Sequence, residues 1–134
     1  MGGFAIWGAA VIGGALLIQP AAGQSLLPAR DAHEQVRAGS LVLVDIRTAR
    51  EWDDDGVPLG AVKLDAASPG FELRLAGLRL DNAGKRIALI DRTGGLAASV
   101  QRKLAQRGWR DLLVIRGGML GPGGWQAEKL PLGR

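Results

Sequence analysis

The sequence has no cysteine at all. That excludes disulfides, thiolate metal sites, a lipid-modified cysteine anchor and every mechanism in which the chain's own sulfur acts as nucleophile or carries a persulfide. Aromatic residues are scarce, at 4% with no tyrosine, and the basic residues are spread along the chain. Nucleic-acid binders usually cluster basic residues and interleave them with aromatics, so no nucleic-acid partner is expected. There is one histidine, His33. It falls on a predicted helix with no partner pattern around it and reads as a solvated residue, not a general base. Charge is absent from residues 1–23, so the net charge of +4, from 17 Lys+Arg against 13 Asp+Glu, belongs to residues 24–134.

With 134 residues, 47% of them hydrophobic, the chain has the length and apolar content of one domain with a proper core. The uncharged run FAIWGAAVIGGALLI, followed by Ala21-Ala22-Gly23, has the form of a secretory signal peptide with a cut after Gly23. Five glycines in residues 1–18, Gly2, Gly3, Gly8, Gly13 and Gly14, make this segment a weak soluble helix, and it has no polar face. Its length also approaches what a membrane anchor needs. The expected organisation is therefore residues 1–23 as signal peptide, or as N-terminal anchor if uncleaved, and residues 24–134 as a single domain. The mature protein is expected to be periplasmic or extracytoplasmic, touching a membrane only through residues 1–23 where they are retained.

Short, two-sided apolar runs alternate with helical patterns along the rest of the chain. Ala29–Ala38 reads as a helix stopped by Gly39. Leu41–Val44 reads as a strand covered on both faces, and Thr48 can cap a short helix through Trp52. Asp53, Asp54 and Asp55 lack the alternating spacing of a calcium loop and read as a solvated turn. Val57–Leu64 contains a turn at Pro58-Leu59-Gly60 and a strand from Ala61 to Leu64. A helix is expected from Phe71 to Leu78, a strand at Arg86–Ile90, a helix at Leu96–Arg107, a strand at Leu112–Ile115 and a last short helix at Gly124–Glu128. This alternation predicts a three-layer α/β sandwich, a central, mainly parallel sheet with helices on both faces.

The stretch around which the chain is organised is KRIALIDRTGGLAA, Lys85 to Ala98. A buried strand ending in Asp91, a turn through Arg92, Thr93, Gly94 and Gly95, and a helix entered at Leu96 aim several backbone N–H groups at one point beyond the strand. The residue best placed to act as nucleophile there is a carboxylate, Asp91.

Several stretches resemble the rhodanese-like, or thiosulfate sulfurtransferase, family. Leu43-Val44-Asp45-Ile46-Arg47 followed by Glu51-Trp52 is similar to that family's opening strand. Gly56-Val57-Pro58-Leu59-Gly60-Ala61 is similar to its following turn, with valine and proline in place of histidine and isoleucine. Arg116-Gly117-Gly118-Met119, Trp125 and Leu130-Pro131-Leu132 are similar to its closing segment. The resemblance implies the family's sandwich fold over Ala29 to Leu132, a structural set of Asp45, Arg47, Glu51, Gly117, Gly118 and Trp125, and an active-site-like loop of Asp91, Arg92, Thr93, Gly94, Gly95 and Leu96.

In active members the strand-end residue is a cysteine, with a second basic residue common in the loop. Here Asp91 takes the cysteine's place and Leu96 that of the second basic residue. A carboxylate forms no stable persulfide. The expectation is thus a degenerate member with no catalytic residue and no cofactor or metal. Its cleft would bind an unidentified protein or a small anion at the loop, where Arg92 either neutralises Asp91 or meets the ligand. Two enzyme readings remain beside it: Asp91 as a phosphoryl acceptor, which would need carboxylates beyond Asp45 and Asp65 to hold magnesium, and a sulfurtransferase whose thiol comes from a partner.

Overall fold

The structure, a computed structural model, describes Gly3 and residues 25–133. The expected signal peptide or anchor over residues 1–23 lies, but for Gly3, outside the described residues. Among these no helix is long and apolar enough to cross a membrane.

The elements in chain order are β1 (Leu26–Leu27), α1 (Ala29–Arg37), β2 (Leu41–Asp45), α2 (Ala49–Asp55), β3 (Val57–Pro58), β4 (Val62–Lys63), α3 (Phe71–Asp81), β5 (Arg86–Ile90), α4 (Gly95–Ala105), β6 (Leu113–Ile115) and β7 (Leu132–Gly133). A five-stranded sheet runs in the order β1-β6-β5-β2-β4, and every pair in it is parallel. Successive side chains of a strand point to opposite faces, and the apolar runs are sorted accordingly. Leu41, Leu43, Ala88, Ile90, Leu113 and Ile115 pack on one face with Ala29 and Ala32 of α1, Met119 and Trp125. Val42, Val44, Ile87, Leu89 and Val114 pack on the other with Phe71 and Leu75 of α3 and Ala97 and Leu104 of α4. This is the expected sandwich of a parallel sheet between helices.

Several local expectations need correction. Helix α3 continues to Asp81, three residues beyond the expected end. Its end is fixed by Asn82, whose backbone N–H and side-chain amide both donate to Leu78 O, at 3.1 and 2.9 Å. Leu73 and Leu80, 78% and 81% exposed, are what blurred the helical pattern. Gly124–Glu128 is a run of turns, not a helix. Gln126 N donates to Met119 O instead of propagating a helix, and Gly123 and Lys129 both have positive φ. Val57–Pro58 is a strand paired antiparallel with Leu132–Gly133, so the tail is built into the fold. The aspartates at 53–55 close α2, and Asp55 reaches Arg47. His33 is no freely solvated residue. Its ring meets Trp125 edge-on at 5.8 Å, and its Nδ1 is buried without a hydrogen-bond partner among the described residues.

Candidate functional site

In a parallel sheet the C-terminal strand ends share one side, and the loops there form the cleft. Here those loops are Ile46–Thr48 after β2, Asp65–Ala67 after β4 and Asp91–Thr93 after β5. Together with Glu51, Leu96 and Val100 they line an open cleft of about 340 Å³.

Asp91 is only 2% exposed. Its Oδ1 accepts the N–H of Gly94 at 2.6 Å and its Oδ2 that of Ala97 at 2.9 Å. The residue preceding α4, Gly94, has φ +109 and no side chain with which to cap the helix. The carboxylate three residues earlier caps it instead, placing negative charge at the positive end of α4. Two of the amides at this turn therefore already hold a carboxylate, and it is covalently part of the chain. Arg92 does not neutralise it. Arg92 is exposed, and among the described residues its side chain makes no ion pair. Thr93 is exposed on the loop with Gly95, and Leu96, 49% exposed, puts an apolar side chain into the cleft wall.

The loop is fixed from below by the segment after β6. Met119 N donates to Asp91 O and Leu120 N to Arg92 O, both at 2.8 Å. Gly117 and Gly118, at φ +74 and +56, make this approach possible.

Asp45 and Arg47 form a fully buried pair. Arg47 Nη2 donates to Asp45 Oδ2 at 2.7 Å and Nε to Oδ1 at 3.0 Å, while a second Nη2 bond reaches Gly56 O at 2.7 Å. A buried charge is tolerated only when paired and hydrogen-bonded, which both are. The pair ties the end of β2 to the end of α2. Glu51 is the third residue of a capping box: its Oε1 accepts Thr48 Oγ1 at 3.1 Å, and Thr48 Oγ1 accepts Glu51 N at 3.3 Å. Trp125 lies away from the cleft, fully buried, with Nε1 donating to Pro131 O at 2.9 Å.

The fold thus brings the Asp91 loop, Arg47 and Glu51 to one cleft and leaves Gly117, Gly118 and Trp125 behind it. Ala66, Ala67 and Val100 also line it, and no chemical signal in the sequence marks them; only their position after a strand or on the first turns of α4 does. Among the described residues no three His, Cys, Asp or Glu side chains converge as a metal site.

Comparison with known proteins places this geometry. The rhodanese-like domain model matches residues 28–127. The chain belongs to the rhodanese-like domain family. No curated protein matches it significantly in sequence. Among solved structures it is similar to a protein of unknown function, possible tyrosine phosphatase, from Rhodopseudomonas palustris, at 22% identity and TM-score 0.60, over 84% of this chain and 88% of that one. It is similar to a rhodanese-related protein from Thermoplasma volcanium at 23% identity and TM-score 0.59, over 80% and 95%. A third is the homodimeric polysulfide-sulfur transferase of Wolinella succinogenes, at 22% identity and TM-score 0.59, over 80% and 76%. These likenesses carry the fold. Within it, this rhodanese-like chain has no cysteine, and its loop is closed on Asp91.

Proposed function

We propose that this chain is an exported rhodanese-like domain that does not transfer sulfur and acts as a binding or regulatory module through the cleft beside Asp91. The observation that carries this reading is the pair of bonds from Gly94 N and Ala97 N to the Asp91 carboxylate. Sulfur transfer needs a thiolate as acceptor and free amides to stabilise anionic sulfur. The chain has no thiol, and two of the amides at this turn, those of Gly94 and Ala97, are taken by Asp91. What the cleft still offers is Arg92 and Thr93 on an exposed rim and an apolar wall of Leu96 and Val100. That composition suits a protein segment or a small anion meeting Arg92 from solvent. Export rests on the uncharged apolar run and Ala21-Ala22-Gly23.

Phosphoryl transfer to Asp91 finds less support, since both carboxylate oxygens are engaged by backbone and, among the described residues, no carboxylate group stands ready to hold magnesium beside it. Purified protein given thiosulfate and cyanide is expected to form no thiocyanate above a heat-killed control; turnover that survives repurification refutes the reading. N-terminal sequencing from the native host should find Gln24 or its neighbours first, whereas an intact Met1 on soluble cytoplasmic protein removes export from the proposal.

A further inference from the structure

The end of the sheet opposite the cleft carries a second concavity. Leu41 of β2 is in register with Arg86 of β5, and Ala88 with Leu113 of β6, so these strands start along one edge. There the chain turns from α3 into β5, and a shallow basin of about 460 Å³ is lined by Leu80, Lys85 and Arg86, with Arg79 and Asp111. Arg79 is committed: it pairs with Asp111 at 3.0 Å and lies 4.9 Å from the Trp109 ring centre. Lys85 and Arg86 are exposed, and among the described residues neither makes an ion pair. Arg37 at the end of α1 and Arg110 ahead of β6 come to the same edge in the same condition. Asp81 and, one turn before Arg37, Glu34 are exposed acids there without an ion pair among the described residues, so the four cations outnumber them. Leu80 stands among them at 81% exposure.

We propose that this basic edge docks on the anionic headgroups of a lipid bilayer, with Lys85, Arg86 and Arg110 on phosphates and Leu80 entering the interface. Two observations select a bilayer among polyanions. First, β1 runs parallel to β6 with Leu26 in register with Val114, so Ser25 and the start of β1 at Leu26 lie on this same edge. The apolar run ends at Ile18, and residues 19–25 reach at most ~25 Å, so in a form that keeps residues 1–23 the inserted run holds this edge nearest the membrane, while a chain cut after Gly23 keeps only the charge and Leu80 to bring it there. Second, an exposed leucine among cations matches the amphipathic headgroup region, whereas a nucleic-acid groove would offer a stacking ring, and Trp109 is covered by Arg79. The contact adds a membrane surface to the one expected through residues 1–23 and does not depend on what the cleft binds.

The absence of cysteine allows a clean test. In the full chain, Ala83→Cys supplies a single thiol at the basin and Arg50→Cys one on α2 at the cleft end, each carrying a polarity-sensitive dye. With phosphatidylglycerol-containing vesicles the dye at 83 should shift to the blue, the shift should fade as salt rises, and the dye at 50 should not respond. Lys85→Gln with Arg86→Gln should weaken the response by about fivefold per charge removed. An equal shift in pure phosphatidylcholine, a response at 50 instead of 83, or indifference to the two substitutions overturns the proposal. So does an equal response to soluble RNA without vesicles, which assigns the edge to polyanions in general. Should the double variant not fold, the salt titration of the labelled wild-type edge decides alone. Co-sedimentation with phosphatidylcholine reads the N-terminal run separately from the dye.

Discussion

Gly118 lies directly against the backbone of Asp91: a Cβ added to it would stand 2.7 Å from Asp91 O and 2.8 Å from Arg92 O. These carbonyls accept Met119 N and Leu120 N, so the double glycine lets the segment after β6 zip onto the underside of the loop. The position of Asp91 is therefore set by two residues with no side chain as well as by its own carboxylate.

Gly118→Ala should destabilise the protein by about 2 to 4 kcal/mol, combining a left-handed φ with a backbone clash that cannot relax without moving the loop. Gly123→Ala is the control. Its φ is also positive, at +70, but nothing lies within 4 Å of the added carbon, so only the conformational part, ~1 to 2 kcal/mol, is expected. Urea midpoints of the two variants check this; equal losses would mean that the contact with Asp91 is not tight.

Removing one partner of the buried Asp45–Arg47 pair leaves the other charged and dry. Asp45→Ala should cost about 3 to 5 kcal/mol, and Asp45→Leu combined with Arg47→Met should cost clearly less than the two single changes summed. A double-mutant cycle by urea unfolding measures the coupling. Strict additivity would show that Arg47 is held by Gly56 O and Asp55, not by Asp45.

Trp125 joins the core to the tail, because its indole N–H holds Pro131 O and the tail strand β7 pairs with β3. Trp125→Phe should lower global stability by about 1 to 3 kcal/mol. Hydrogen exchange at Leu59 N, which donates to Pro131 O, should accelerate more than exchange at β5 amides. Uniform acceleration would place the effect in the core alone.

The parts of this structure that periodicity controls were legible in the sequence. Leu41–Val44 and Ile87–Ile90 are apolar on both faces because both faces are covered, and runs of that kind belong to central parallel strands. The last short helix failed because Gly124 and Trp125 obey tertiary contacts: Trp125 N bonds Gly118 O, a partner that no local pattern reveals. His33 failed for a similar reason, since its ring is claimed by Trp125 far along the chain. In the candidate site, the strand, turn and helix order placed Asp91 at the focus of the loop amides. That its carboxylate would take Gly94 N and Ala97 N, leaving Arg92 without an ion pair among the described residues, depends on side-chain direction within the turn and could not be read from residue types.

The Asp91 carboxylate should itself stabilise the fold. Asp91→Ala leaves Gly94 N and Ala97 N without their acceptor at the start of α4, and loses a negative charge at that helix's positive end. The expected loss is about 1 to 3 kcal/mol at neutral pH. Asp91→Asn keeps one acceptor oxygen and turns a donor toward the other N–H, so it should also lose stability. Asp91→Cys removes the built-in anion and creates the family's nucleophile, yet Leu96 supplies no second cation, and its thiosulfate turnover should stay far below that expected of an intact sulfurtransferase site. Urea unfolding of the wild type, Asp91→Ala and Asp91→Asn decides the point. If either variant equals or exceeds the wild type, the carboxylate is not a cap. A buried charge retained against stability would then mark a site kept for a ligand or a reaction, and the enzyme reading of Asp91 would take precedence over the binding module.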